Sequence, residues 1–140
     1  MKGLNEQLID SCKEGNIEEV ESLIKKGAEV NAVDDYGFTA LMHASRHGNT
    51  KIAKLLINKG ADVNVDDIGG WTALMHASYE GNTKIAKLLI DNGADVNANV
   101  DDVNANVDDV IIYGDTSLRI AVENQEIEII KLLIKAGAEA

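Results

Sequence analysis

The sequence predicts an all-α repeat solenoid, in which short helix–turn–helix units stack side by side. The main observation is a nearly identical internal copy: TALMHASRHGNTKIAKLLINKGADVNV starts at Thr39, and TALMHASYEGNTKIAKLLIDNGADVNA starts 33 residues later at Thr72. Each copy contains two short amphipathic segments, and a helix pair of this size cannot bury its apolar stripes without a neighbour. The 140 residues, of which 45% are hydrophobic and 26% charged, suit one soluble domain.

The first helix of each unit is bounded by a threonine and a glycine. Thr39 is a suitable N-cap, because its hydroxyl can accept a hydrogen bond from a free backbone N–H of the first turn. Apolar residues then follow at helical spacing, and Gly48 lies where helices commonly end in a left-handed residue. Thr72 and Gly81 repeat both signals, so the sequence predicts the same helix twice.

The second helix of each unit is predicted to start at Asn49 and at Asn82. In NTKIAKLLI the apolar residues fall on one face of a helix and the lysines on the other. Gly60 and Gly93 are expected to terminate these helices. The ADVN that follows is expected to be a short extended segment, which leads into a turn rich in Asp and Gly.

Weaker copies of the unit flank the two central ones. NEQLIDSCKEGNIEEVESLIKKGAEVNA lies near the start of the chain, and TSLRIAVENQEIEIIKLLIKAGAEA lies at its end. Because stacked units stabilise one another, the whole of 1–140 is predicted to be a single cooperative domain. Its parts are an N-terminal capping repeat (1–33), repeat 2 (34–66), the helices of repeat 3 (67–94), an extended finger or insertion (95–113) and a C-terminal repeat (114–140).

The 33-residue period, the G-x-TALMHA opening, the GNTKIAKLLI helix and the GADVNA ending resemble ankyrin repeats, over nearly the whole chain. The chain departs from the family's usual TPLH, with TALM at 39–42 and 72–75 and TSLR at 116–119. Losing the proline removes some preorganisation of the first helical turn but should not change the fold. The resemblance implies an L-shaped stack with β-turn fingers, whose concave surface of fingertips and inner helices binds a protein partner. It implies no catalytic residues.

Positions at which repeats 2 and 3 differ are candidates for partner binding, because the shared residues serve the stack. Arg46 and His47 correspond to Tyr79 and Glu80, at the end of the first helix. Aromatic residues and arginine often anchor interfaces. The resemblance places the candidate binding residues on the concave surface: Asp35, Tyr36, Phe38, Arg46, His47, Ile68, Trp71, Tyr79, Glu80, Tyr113, Asp115, Glu123 and Asn124. In an alternative interpretation, the phenylalanine and the tryptophan of this set partly pack under the fingers.

The charge balance narrows the class of partner. A net charge of −11 and a pI of about 4.5 would repel nucleic acid and anionic membranes, and would attract a basic protein surface. The same charge is also explained by solubility alone. The single cysteine, Cys12, cannot form an internal disulfide, and the first residues contain no uninterrupted apolar segment typical of a secretory signal, which favours the cytoplasm.

No constellation in the sequence predicts an enzyme, a cofactor or a metal site. His43 and His76 lie at equivalent positions of stacked helices, roughly 8–10 Å apart, whereas zinc needs each ligand within about 2 Å. Inward packing or a backbone hydrogen bond is the preferred interpretation for both. Cys12 is interpreted as a buried filler, and no Ser/His/Asp set, P-loop or GxGxxG is present.

The segment DVNANVD, at 95–101, is repeated unchanged at 102–108 and resembles the start of an EF-hand calcium loop. Val100 and Val107 occupy the position at which that loop requires glycine. Asn106 and Tyr113 occupy the position of the bidentate glutamate. We therefore expect no specific calcium site.

Thr72 and Thr116 are 44 residues apart, so eleven residues are inserted relative to the repeat. Because the duplicated heptad is palindromic, it could form a hairpin finger centred on Asp101–Asp102, with Val100 facing Val103 and Asn99 facing Asn104. A mobile acidic loop is the alternative, since Asp-Asp suits a tight primed turn poorly. The finger residues are Val96, Asn97, Ala98, Asn99, Val100, Asp101, Asp102, Val103, Asn104, Ala105, Asn106 and Val107.

Two features point to self-association as a second hypothesis for function. An exposed DVNANVD edge could pair with its copy in another molecule, in an engineered or naturally duplicated scaffold. The last repeat also keeps an apolar second helix, IEIIKLLI, whose outer surface would normally meet another repeat.

Overall fold

The computed structural model describes residues 2–100 and 116–138, and these residues contain eight helices. The helices are α1 (Leu4–Glu14), α2 (Ile17–Lys25), α3 (Ala40–His47), α4 (Thr50–Asn58), α5 (Ala73–Glu80), α6 (Thr83–Asp91), α7 (Ser117–Glu123) and α8 (Ile127–Lys135). The first helices α1, α3, α5 and α7 pack in succession as one row, and the second helices α2, α4, α6 and α8 form a parallel row behind them. The predicted all-α repeat solenoid is confirmed.

The boundaries of the first helices agree with the sequence signals. The Oγ1 atoms of Thr39 and Thr72 accept hydrogen bonds from the N–H of the third helical residue, at 3.1 and 3.3 Å. Gly48 and Gly81 end these helices with φ of 75° and 76°, in the left-handed region that glycine adopts without strain.

The second helices begin one residue later than expected, at Thr50 and Thr83. Asn49 and Asn82 are the capping residues, yet neither side chain caps its own helix. Their amides instead reach the preceding repeat: Asn49 Nδ2 donates to the Cys12 carbonyl at 3.5 Å, and Asn82 Nδ2 to the Ser45 carbonyl at 2.6 Å. Repeats are therefore joined by polar contacts at the ends of the first helices.

The expectation that ADVN is extended is wrong for its second half, because Val63 and Asn64, like Val96 and Asn97, form a turn. The cause is the aspartate side chain, whose Oδ1 accepts from the N–H two residues later and so bends the chain. Asn64 N–H donates to Asp62 at 2.9 Å, and Asn97 N–H donates to Asp95 at 2.9 Å.

The asparagine that ends each ADVN or AEVN bridges to the next repeat. Asn31 donates to the Gly60 carbonyl at 3.2 Å and accepts from Asp62 N–H at 2.8 Å. Asn64 makes the equivalent pair of bonds to the Gly93 carbonyl, at 3.0 Å, and to Asp95 N–H, at 2.7 Å. The last member, Asn97, donates to the Gly137 carbonyl at 3.4 Å. We call Asn31, Asn64 and Asn97 the asparagine ladder.

One continuous apolar core runs between the two rows of helices. Cys12 is fully buried in it, as predicted. No helix of residues 2–100 and 116–138 is both long enough and apolar enough to cross a membrane. The largest fully buried side chains are Leu8, Leu23, Leu41, Met42, Ile52, Leu56, Leu74, Met75, Ile85, Leu89, Ile129 and Leu133.

Each finger is closed at its base by a single antiparallel bridge. Val33 pairs with Thr39, Asp66 with Thr72, and Asn99 with Thr116. The first two pairs span six residues, and the third spans 17, so the base is conserved and the eleven inserted residues fall inside the last finger. The hairpin register centred on Asp101–Asp102 lies outside the described residues, as do the finger residues that follow them.

The fourth repeat differs from repeats 2 and 3 at three positions where those repeats have serine, glycine and asparagine. Gln125 takes the place of the helix-ending glycine and has φ of 57°, the only positive φ of a non-glycine residue within the described ranges. Val122 is 53% exposed, whereas Ser78 at the equivalent position is fully buried. Glu126 replaces the bridging asparagine, and its carboxylate lies over Gly81. This repeat is therefore the least well adapted to the stack.

Candidate partner-binding surface

A ladder of ring contacts runs along the junction between the fingers and the first helices. The Phe38 ring lies 5.2 Å from the His43 ring and 5.0 Å from the His76 ring. Trp71 in turn lies 5.2 Å from His76 and 5.8 Å from Tyr79, measured between ring centroids. Side chains of repeats 2 and 3 thus form one row of rings, in which the two histidines are buried, Phe38 and Trp71 are half-buried and Tyr79 is exposed.

The fingertips extend this surface outwards. Tyr36 is 72% exposed and Ile68 is 77% exposed, which is unusual for large apolar side chains. Neighbouring fingertips are joined, because Ile68 N–H donates to the Tyr36 carbonyl at 3.1 Å. Gly37 permits this approach: it has φ of 77°, and a side chain there would lie 3.0 Å from the Ile68 backbone nitrogen. The exposed side chains are consequently held on a defined backbone.

The fingers of repeats 2 and 3 are each fixed to the first helix of the same repeat by an aspartate–histidine pair. Asp34 Oδ2 is 2.9 Å from His43 Nε2, and Asp67 Oδ2 is 2.9 Å from His76 Nε2. The other oxygen, Oδ1, accepts from backbone N–H groups of the same finger, including that of Phe38 at 3.0 Å. One carboxylate therefore shapes the turn and orients the helix at the same time.

The sequence predicts the inward packing of these histidines, which is confirmed, but not their carboxylate partners. The signal was the nine-residue spacing of Asp34 to His43, which Asp67 and His76 repeat. At the equivalent positions of the fourth repeat, Val100 and Ile120 replace both members of the pair.

Burial lowers the pKa of both His43 and His76 below the ordinary value of 6.5, although the hydrogen bond to aspartate opposes the shift. Burial acts to raise the pKa of Asp34, but hydrogen bonds from His43 and from the finger's backbone N–H groups outweigh it and lower the pKa below 3.8. At neutral pH the imidazoles are therefore neutral, and each donates from Nε2 to a carboxylate.

The aspartate–histidine pairs stabilise the contact between finger and helix, and their atoms are not arranged for metal binding or catalysis. In both histidines Nε2 is occupied by the aspartate, and Nδ1 of His43 is buried without a hydrogen-bond partner. Within residues 2–100 and 116–138, no three His, Cys, Asp or Glu side chains are grouped so that they could hold a metal ion. Burial raises the pKa of the Cys12 thiol to about 12, so the thiolate needed for nucleophilic chemistry is not formed.

The remaining predicted binding residues have different environments. Asp35, Arg46, His47 and Glu80 are exposed at the fingertip and at the ends of α3 and α5. Glu123 and Asn124 are both engaged with α7: Glu123 pairs with Arg119 at 3.1 Å, and Asn124 donates to the Ile120 carbonyl at 2.9 Å. Tyr113 and Asp115 lie outside the described residues.

A cavity of about 310 Å³ lies between α1 and the first finger, beside this surface. The sequence gives no signal for this cavity, because its lining combines α1 with a finger that lies beyond α2 in the chain. Its lining residues are Lys2, Asn5, Glu6, Ile9, Asp10, Lys13, Val33, Asp34 and Asp35.

A family model described as ankyrin repeats (three copies) matches residues 8–100 and again residues 70–140. The chain belongs to the ankyrin-repeat family. No curated protein matches it significantly. Ankyrin repeats are in general protein–protein interaction modules, and family membership agrees with the repeat length, the fingers and the two helix rows. In this ankyrin stack the aromatic side chains of the described residues lie on the finger side. The helices α2, α4 and α6 present mainly lysine and glutamate to solvent, whereas α8 also exposes Ile127 and Ile134.

Proposed function

We propose that this ankyrin domain is a non-catalytic module that binds a protein partner through the surface between its fingers and first helices. The observation that supports this most is the set of exposed apolar side chains on one side of the stack, above all Tyr36, Ile68 and Tyr79. Large exposed apolar groups beside half-buried aromatic rings are typical of interface anchors. We call this set, together with Phe38 and Trp71, the finger surface.

The charge around the finger surface favours a basic partner. Asp35, Asp66 and Glu80 are exposed there, and the whole chain has a net charge of −11. Such a field accelerates association with a positively charged protein and weakens as salt is added.

A triple alanine variant tests this proposal. Tyr36→Ala, Trp71→Ala and Tyr79→Ala together remove the anchors, and we expect peptides selected from a random display library on the wild-type protein to bind it at least about tenfold more weakly. The matched control is Glu21→Ala, Lys54→Ala and Asn58→Ala on the second helices, which leaves the net charge unchanged. Circular dichroism is used to check that both variants fold. Undiminished binding to the aromatic variant would refute the proposal.

Self-association through the lengthened finger is a second candidate function. It is favoured by the Asn99–Thr116 bridge, because this bridge closes the base of the finger and the duplicated heptad, whether engineered or natural, falls between its two members in the sequence. Sedimentation at several concentrations, with and without residues 102–108, tests it. A molecular mass equal to that of the monomer at every concentration would exclude self-association.

A further inference from the structure

Repeats 2 and 3 differ in the side chain that packs on the aromatic ring at the base of the finger. In repeat 2 the aromatic residue at the finger base, Phe38, lies beneath the guanidinium of Arg46, with 5.2 Å between Cζ and the ring centroid. In repeat 3 the equivalent ring is Trp71, and the residue equivalent to Arg46 is Tyr79. The chain thus places its own cation over the first ring and a second aromatic ring beside the next one.

The surroundings of Trp71 are suited to a cation that the chain itself does not provide. Glu80 is exposed beside Tyr79, and within residues 2–100 and 116–138 no cationic side chain lies within 4.0 Å of its carboxylate. Asp66 is also exposed at the base of the same finger. Arg46, whose charge acts on the neighbouring His76, is already held over the Phe38 ring.

We propose that Trp71, Tyr79 and Glu80 form a subsite for an arginine side chain of the partner. A planar guanidinium can stack on an aromatic face and bond to a carboxylate at the same time, which a lysine ammonium does less well. The arrangement of Arg46 on Phe38 is an internal example of this stacking, one repeat away. This proposal rests on the proposed function and specifies the chemistry that the finger surface recognises.

Trp71 is the only tryptophan in the chain, so its fluorescence reports directly on this subsite. The probes are an arginine-containing peptide, selected from a random display library, and the same peptide with citrulline at each arginine in turn. Citrulline keeps the shape and removes the charge. We expect one citrulline peptide to bind about tenfold more weakly and to lose the change in Trp71 fluorescence.

The protein variants are Glu80→Gln and its matched control Glu14→Gln. Glu14 occupies the same repeat position on α1, is exposed, and has Asn5 in place of the aromatic ring, so both variants change the net charge equally. We expect Glu80→Gln to weaken binding about tenfold for the arginine peptide and hardly at all for its citrulline twin. Glu14→Gln should have little effect on either.

The outcomes separate this subsite from the proposed function. Peptides that bind the wild type, lose affinity with Trp71→Ala, and yet contain no essential arginine would overturn the subsite and leave the finger surface intact. Equal effects of Glu80→Gln and Glu14→Gln would also overturn it, because they indicate only long-range attraction. Binding that none of the finger-surface variants alters would overturn both proposals.

Discussion

His43 and His76 are buried as neutral imidazoles, and this makes the stack sensitive to acid. Because the pKa of each is lowered in the folded protein, the unfolded chain takes up protons first as the pH falls below 6.5. Stability is therefore fully present above pH 6.5 and is lost as the pH falls from there towards the folded pKa. Asp34 adds a second loss at lower pH, below its ordinary 3.8.

We expect the free energy of unfolding to decrease as the pH is lowered from 7.5 to 5.5, by at most about 1.4 kcal/mol per pH unit for each histidine. Urea unfolding at several pH values measures this. In a His76→Gln variant the slope should be shallower, although overall stability is lower. His47→Gln is the control, because His47 is exposed at the end of α3. An unchanged slope in His76→Gln would contradict this account.

Gln125 occupies a position where glycine would make the fourth repeat more stable. Its φ of 57° lies in the left-handed region, where Gly15, Gly48 and Gly81 stand in the other repeats. We expect Gln125→Gly to stabilise the domain by about 0.5–1 kcal/mol, because glycine adopts this conformation without strain. Glu128→Gly, inside α8, is the comparison and should destabilise by about 1 kcal/mol. Thermal unfolding distinguishes them, and a destabilised Gln125→Gly would be the contrary result.

At the scale of elements, the asparagine ladder joins each turn to the following repeat. Asn64 makes two hydrogen bonds of 3.0 and 2.7 Å across the repeat boundary. We expect Asn64→Ala to lower the free energy of unfolding by about 1–1.5 kcal/mol, since two hydrogen bonds between repeats are lost and their exposed backbone groups return to water. Asn58→Ala, on the exposed surface of α4, should change it by less than about 0.5 kcal/mol. Similar effects of the two substitutions in urea unfolding would argue against the ladder.

The elements differ in how far the sequence predicts them. Helix ends marked by Thr39, Gly48 and Gly60 are predicted because capping is local, within a few residues of the chain. The ladder of Asn31 and its equivalents is not, since its partners are 29 and 31 residues away and are brought close only by stacking. The aspartate–histidine pairs are intermediate. Their regular nine-residue spacing is visible in the sequence, but the sequence does not show that finger and helix meet at an angle that brings the two side chains together.

For the molecule as a whole, the insertion in the last finger leaves the stacking register intact. Asn97 still bonds to Gly137, and Asn99 still pairs with Thr116, as their equivalents do in uninterrupted repeats. The sequence predicts the position and length of the insertion by arithmetic, but only the structure shows that both anchors remain in place.

Deletion of residues 102–108 should therefore preserve the fold. We expect a gain in stability of about 0.5 kcal/mol, because a shorter closed loop loses less entropy on folding. The midpoint and slope of urea unfolding give this value. A loss of more than about 2 kcal/mol would mean that the duplicated heptad contributes to the stack.

The central claim is that the finger surface binds the partner, and amide chemical-shift mapping with a selected peptide tests it most directly. We predict that the shifted signals belong to residues near Tyr36, Ile68, Trp71 and Tyr79, with few changes in α2, α4 and α6. Shifts concentrated on those second helices, with the finger signals unmoved, would contradict the account.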